Sequence, residues 1–161
     1  ELDVMEFASD KASKDGLQTY CRKCLRIYSA TWASTFDGYM TKIYINLRKN
    51  ADKRKIDVNI NKDDIITLYH QQNGVCALTG QKMTHRCNPD ATRGNRYLTN
   101  ISVDRINSQK AYEKDNIQLV CSIINTIKWD LPHDEFIWYC YLTYKNNPEL
   151  VKKLKEKRIV N

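Results

Sequence analysis

Apolar residues recur at helical spacing between about Asp37 and Ala51, where Met40, Ile43, Tyr44 and Leu47 fall on one face. A second helix is bounded more sharply. Asn61 is placed to cap it, Asp64 stands three residues on in a capping-box position, and Asn73-Gly74 ends it. Residues 74–84, GVCALTGQKMT, have the small, turn-rich character of a tight hairpin, and residues 85–100 read as a polar, basic loop. ISVDRI (101–106) alternates as a strand, and NIQLVCSIINTIKWD (116–130) starts extended and turns helical. Pro132 suits the first turn of a further helix, with Phe136, Ile137, Cys140, Tyr141 and Tyr144 as its inner stripe. A short charged helix, PELVKKLKEKR, follows.

These elements predict an α+β chain: a small strand pair and helix surrounded by other helices. Four stretches follow from the pattern. Residues 1–36 form a turn-rich module, 37–60 a basic helical connector, 61–146 the core, and 147–161 a charged C-terminal helix.

Charge adds a partner class. Of 161 residues, 26 are Lys or Arg and 19 Asp or Glu, giving a formal net charge of +7. That favours a polyanion, nucleic acid ahead of an anionic membrane surface. The helix after Asp37 carries Lys42, Arg48, Lys49, Lys53, Arg54 and Lys55. That run is either a solvated face or a stripe for phosphates. No apolar stretch approaches the ~20 residues needed to span a bilayer. The chain starts at Glu1 rather than Met, so targeting is not legible from it. Six cysteines lie over more than a hundred positions, and two form Cys21-x-x-Cys24. In a Lys-rich chain this points to metal binding or buried thiols rather than a disulfide framework, and so to an intracellular setting.

The chemistry concentrates in residues 102–128, ordered as strand, loop, short strand, helix. Asp104 stands near the end of the first strand and Asn125 on the helix. Folding the strand pair onto the helix would bring a carboxylate and a carboxamide together. Both are hard oxygen donors, suited to Mg²⁺ with positions left for water and phosphate. Arg105 cannot accept a proton, but its planar fork can clamp a phosphate oxygen. Tyr112 is the remaining group able to act as base or nucleophile.

This stretch resembles the HNH, or ββα-metal, nuclease motif. In that family a strand supplies Asp-His, a loop an Asn, and a helix a final Asn or His. Asp104 matches the first metal ligand, Asn116 the central Asn that braces the loop, and Asn125 the last metal ligand. Cys121 and Lys128 fall where the family has a Cys and a Lys. Arg105 replaces the catalytic His. The order Asp-Arg, Tyr, Asn is similar to a His-less restriction-endonuclease type of the family, and the surrounding pattern resembles phage-encoded HNH endonucleases.

The resemblance implies a metal-dependent DNA endonuclease that uses Mg²⁺ or Mn²⁺. It assigns the metal to Asp104 and Asn125, the scissile phosphate to Arg105, and the base or nucleophile to Tyr112. The opening segment resembles half of a four-Cys zinc module, so Cys21 and Cys24 are expected to hold structural Zn²⁺. A second Cys₄ site of the family reads here as Cys76…Thr79 and Cys121…Ile124, each pair lacking its second Cys. Cys76 and Cys121 are therefore expected to be packing residues, as is Cys140. Cys87 and His85 are expected as a free surface pair, and His70 and His133 as non-catalytic.

Contacts with DNA are expected from Lys42, Arg48 and Lys49 and from the 86–96 loop through Arg86, Arg93 and Arg96. Double-strand cutting of a palindrome would imply a homodimer by symmetry. The bacterial or virus-infected cytoplasm is the expected setting. Arg105 also permits a second reading, in which an HNH fold without turnover binds nucleic acid or serves assembly.

Overall fold

The computed structural model describes residues 3–87 and 97–159. Arg93 and Arg96 lie outside the described residues. The architecture is α+β, with two separate two-stranded antiparallel sheets among helices. A 3₁₀ turn, Val4–Glu6, precedes β1 (Phe7–Ser9) and β2 (Leu17–Cys21). Then come α1 (Arg22–Ser34), α2 (Phe36–Lys53) and α3 (Lys62–Gln71). The second sheet joins β3 (Ile101–Arg105) to β4 (Ile117–Cys121), and α4 (Ser122–Lys128) leaves β4 directly. α5 (His133–Asn146) and α6 (Pro148–Ile159) follow.

Local signals fix several boundaries. The Asn61 side chain accepts from the Asp64 N–H at 3.0 Å, and Asp64 returns the bond from the Asn61 N–H at 2.9 Å. This reciprocal box satisfies two of the amides that a helix start leaves unpaired. Asn73 and Gly74 both take positive φ, 53° and 69°, and end α3. α1 is not signalled in the hydrophobic pattern; it starts where the Cys21 sulfur accepts from the Cys24 N–H. At its far end Gly38 lies so close to the Trp32 carbonyl that any Cβ would overlap it, which lets α2 turn away sharply.

One core serves the described residues. Met40, Leu47 and Ala51 of α2 pack with Ile65 of α3 and with Ile101, Leu119 and Val120 of the β3–β4 pair. Tyr39 ties α2 to the sheet by donating to the Ile101 carbonyl at 3.0 Å. Burial pushes this phenol up to about 12, so it stays a donor across the physiological range. Cys76 and Cys121 are both buried in the same core, and burial raises the Cys121 thiol to about 11.

The Gln72 amide joins α3 to β4. It donates to the Val75 and Leu119 carbonyls, each at 2.9 Å, and accepts from the Leu119 N–H at 2.9 Å. This covers the edge of β4 that β3 leaves free. Gln72→Ala should strand the buried Leu119 N–H and cost about 1–3 kcal/mol in urea unfolding. A loss of less than a few tenths would show that water replaces the amide.

Two expectations from periodicity are corrected. α5 has no inner stripe: Phe136 is buried, but Ile137, Cys140, Tyr141 and Tyr144 are exposed. Periodicity marks an apolar face without guaranteeing that another element covers it. Cys87 and His85 are not a free surface pair either. Cys87 donates to the Ala33 carbonyl at 3.3 Å and accepts from Lys42 at 3.4 Å. A His85 ring nitrogen lies 3.0 Å from the Ser34 carbonyl, and the ring packs edge-on to Phe36. No described helix is long and apolar enough to cross a membrane.

Candidate active site

The strand pair and α4 converge on one cleft of about 260 Å³ whose lining includes Asp104, Arg105, Tyr112 and Asn125. The four sequence-selected residues therefore share a single cavity. Each arrives by a different route.

Asp104 is set by register. It pairs with Gln118 across β3–β4, so the two side chains emerge on the same face. Gln118 Nε2 donates to Asp104 Oδ2 at 2.8 Å. On the other side Lys128, fully buried on the last turn of α4, donates to Asp104 Oδ1 at 3.1 Å and to the Arg105 carbonyl at 2.9 Å. The carboxylate is thus buried with two donors already in place. Gln118 Nε2 also lies 3.5 Å from His133 Nδ1, which puts that histidine one side chain away from Asp104.

Asn125 is oriented by its nitrogen. Its Nδ2 donates to Ser102 Oγ at 2.7 Å and to the Val103 carbonyl at 3.2 Å. With the nitrogen engaged by β3, the amide oxygen is left as the group able to bind a ligand.

Tyr112 is held by backbone. The segment after α2 pairs with it: Asn59 N–H donates to the Tyr112 carbonyl at 2.9 Å, and Tyr112 N–H to the Asp57 carbonyl at 3.0 Å. That pairing puts the phenol beside Arg54, just past α2. Arg54 Nη2 donates to Tyr112 Oη at 2.9 Å. Arg105 lies over the ring with its Cζ 5.2 Å from the centroid, and its Nη1 donates to the Lys110 carbonyl at 2.6 Å. The phenol is thus framed by two guanidinium groups.

Asn116 stands apart from the cleft as the loop's brace. Its Oδ1 accepts from the Asn107 N–H at 2.9 Å, and its Nδ2 donates to the carbonyls of Asn107 at 3.1 Å and Ala111 at 2.8 Å. These bonds shape the connection that delivers Tyr112.

Of the residues expected to contact DNA, Lys42, Arg48, Lys49 and Arg86 are exposed and do not line the cleft, whereas Arg54 of the same cationic run does. Lys42, Arg48 and Lys49 lie on other faces of α2, whose cleft side presents Ile43, Asn46, Leu47 and Asn50. Arg86 sits over the Tyr97 ring at 6.0 Å, its backbone fastened to Asn100. Two partners escaped the sequence reading, Gln118 and Ser102. Lys128 matches the family's Lys and Arg54 stands in the cationic run after Asp37, but neither reading names the partner it meets here.

The two cysteines of the N-terminal segment remain together, Cys21 buried and Cys24 exposed. The Cys24 backbone N–H pulls the Cys21 thiol below its ordinary range, while Cys24, beside that sulfur, is raised. Among the described residues no group of three or more His, Cys, Asp or Glu is arranged to hold a metal ion.

No protein-family model matches the chain, and no curated protein matches it. Among solved structures it is similar to one described as the rare-cutting HNH restriction endonuclease PacI, with an extraordinary mechanism of DNA perturbation. Identity is 20%, the match covers 84% of this chain and 82% of that one, and the TM-score is 0.43. At that level the likeness establishes neither fold family nor activity.

Proposed function

We propose that this protein is a metal-dependent DNA endonuclease of the His-less HNH type. The supporting observation is that Asp104, Arg105, Tyr112 and Asn125 line one cleft. The donor set suits a hard divalent cation such as Mg²⁺ or Mn²⁺: one carboxylate, plus one amide oxygen freed by the bonds to its nitrogen. Asp104 and Asn125 would hold it. Such an ion neutralises charge building on the phosphate and stabilises the leaving 3′-oxygen.

The chain's own groups do the rest. Arg105 clamps a non-bridging phosphate oxygen, its remaining N–H donors being free of the Lys110 carbonyl. As phenolate, its proton given up to solvent, Tyr112 either takes the proton of an attacking water or attacks phosphorus itself; in both routes the P–O3′ bond breaks and the departing 3′-oxygen takes a proton from solvent. Arg54 holds the phenol oxygen in place for either route. Exposed Lys42, Arg48, Lys49 and Arg86, with Arg93 and Arg96, supply phosphate contacts along the flanking duplex. Cutting both strands of a palindrome would call for a second copy.

The test is nicking of supercoiled plasmid by purified protein with Mg²⁺ or Mn²⁺, and its loss in chelator. One observation favours the second reading, a nucleic-acid-binding or assembly protein without turnover. The Asp104 carboxylate already has an ammonium and an amide as partners, so its charge is balanced without an ion. Tight binding of DNA with no cleavage under any divalent cation would select that reading.

Structural zinc belongs to the same proposal, with Cys21 and Cys24 as two of the four ligands such a site takes. Elemental analysis should find one zinc per chain, lost in a Cys21→Ser/Cys24→Ser variant. A zinc-free native protein would remove that element and leave the nuclease reading standing.

A further inference from the structure

Trp129 follows α4 directly and lies at the rim of the cleft, where it lines both the main cavity and the one beside it. Its backbone is at φ 54° and ψ −122°. The Leu131 N–H donates to the Lys128 carbonyl at 3.0 Å, closing a four-residue turn around it. Those angles are the first central position of a type II′ turn, which glycine normally fills because a Cβ is strained there. Here the chain carries its bulkiest side chain instead.

Packing does not account for the choice. Trp129 is 76% exposed, and its indole has no ring or hydrogen-bond partner among the described residues. The turn beneath it is nevertheless held firmly. Trp129 N–H donates to the Asn125 carbonyl at 3.1 Å, and Ser108 Oγ donates to the Asp130 carbonyl at 2.8 Å, fastening the turn to the β3–β4 loop. A flat apolar ring is therefore presented from a fixed base beside Asn125, Arg105 and Arg54. Strained backbone that the surroundings enforce is a mark of ligand-handling positions. An aromatic platform set among guanidinium groups matches one ligand chemistry in particular, a nucleobase joined to a phosphate.

We propose that Trp129 is a base-stacking platform, on which a nucleotide flanking the phosphate held at Asp104 and Arg105 lays its base. The inference rests on the nuclease reading and extends it to how the substrate is gripped. Stacking accepts any base, so the platform adds affinity and sets the register of the cut strand without reading sequence.

The strain and the stacking separate in one substitution. Trp129→Gly removes the ring and suits the turn, so it should raise Tm by about 2–6 °C. The same variant should weaken binding of a mixed-sequence 20-base-pair duplex, in chelator at fixed salt, by roughly 5- to 150-fold, the worth of one stacked base. Trp129→Phe should recover most of that affinity while keeping the lower Tm. Running the oligonucleotide as single strand and as duplex distinguishes a base already free from one displaced out of a helix; a loss in either arm supports the platform. Unchanged affinity in Trp129→Gly for both overturns the platform while wild-type nicking leaves the nuclease reading intact. A Trp129→Gly protein that is less stable than wild type overturns it too, because the ring would then be a folding element. A wild type that neither binds nor cuts DNA overturns both.

Discussion

Asp104→Ala is expected to abolish plasmid nicking and, at the same time, to destabilise the fold. The first effect follows from the proposed role: the site has lost the carboxylate that would draw a divalent cation there. A loss of at least about a thousandfold, roughly 4 kcal/mol of transition-state stabilisation, is the scale expected. The second effect follows from burial. Asp104 is 4% exposed and Lys128 fully buried, so alanine leaves an ammonium in the interior with only the Arg105 carbonyl as partner. Removing one partner of a buried pair typically costs about 3–5 kcal/mol.

The two effects separate in a double variant. Asp104→Asn with Lys128→Met has no buried charge at this point and retains an oxygen for Gln118. It should recover most of the stability in urea unfolding yet remain inactive. If the double variant nicks plasmid at the native rate, the carboxylate is a structural ion-pair partner and nothing more. Were single Asp104→Ala as stable as wild type, the pair would contribute nothing to folding.

Tyr112→Phe should give the opposite profile, a native fold with little chemistry. The ring stays under Arg105 at 5.2 Å, and the backbone bonds to Asp57 and Asn59 do not involve the side chain's oxygen. Only the bond from Arg54 is lost, and that guanidinium is exposed enough for water to replace the phenol. Stability should change by no more than about 1 kcal/mol. Cleavage should fall by about 10²–10⁴-fold, the usual worth of a positioned proton acceptor. A nucleophilic role predicts in addition a protein–DNA adduct that survives denaturation in wild type and vanishes in Tyr112→Phe. Full activity in the phenylalanine variant would exclude both roles and leave Arg105 and the metal to carry the site.

Local order was largely legible in the sequence. The capping box at Asn61 and Asp64, the stop at Asn73-Gly74, and the strand-to-helix change after Cys121 depend on neighbours a few residues apart. Such signals are written in the chain itself. The spacing of Asp104, Tyr112 and Asn125 was legible for a related reason: a strand pair and the helix after it fold back on each other over a short stretch.

Tertiary structure decided the rest. Arg54 meets Tyr112 across 58 positions, Lys128 reaches Asp104 across 24, and Gln72 meets Leu119 across 47. No periodicity records such meetings, because an apolar stripe or a cation looks the same whatever lies opposite. The same blindness explains α5, whose aromatic residues promised an inner face and stand in solvent, and Trp129, whose place in a turn meant for glycine no composition could reveal. Sequence fixed which groups were available and which segments bend; the packing of distant segments fixed which groups touch, since contact energies act between neighbours in space.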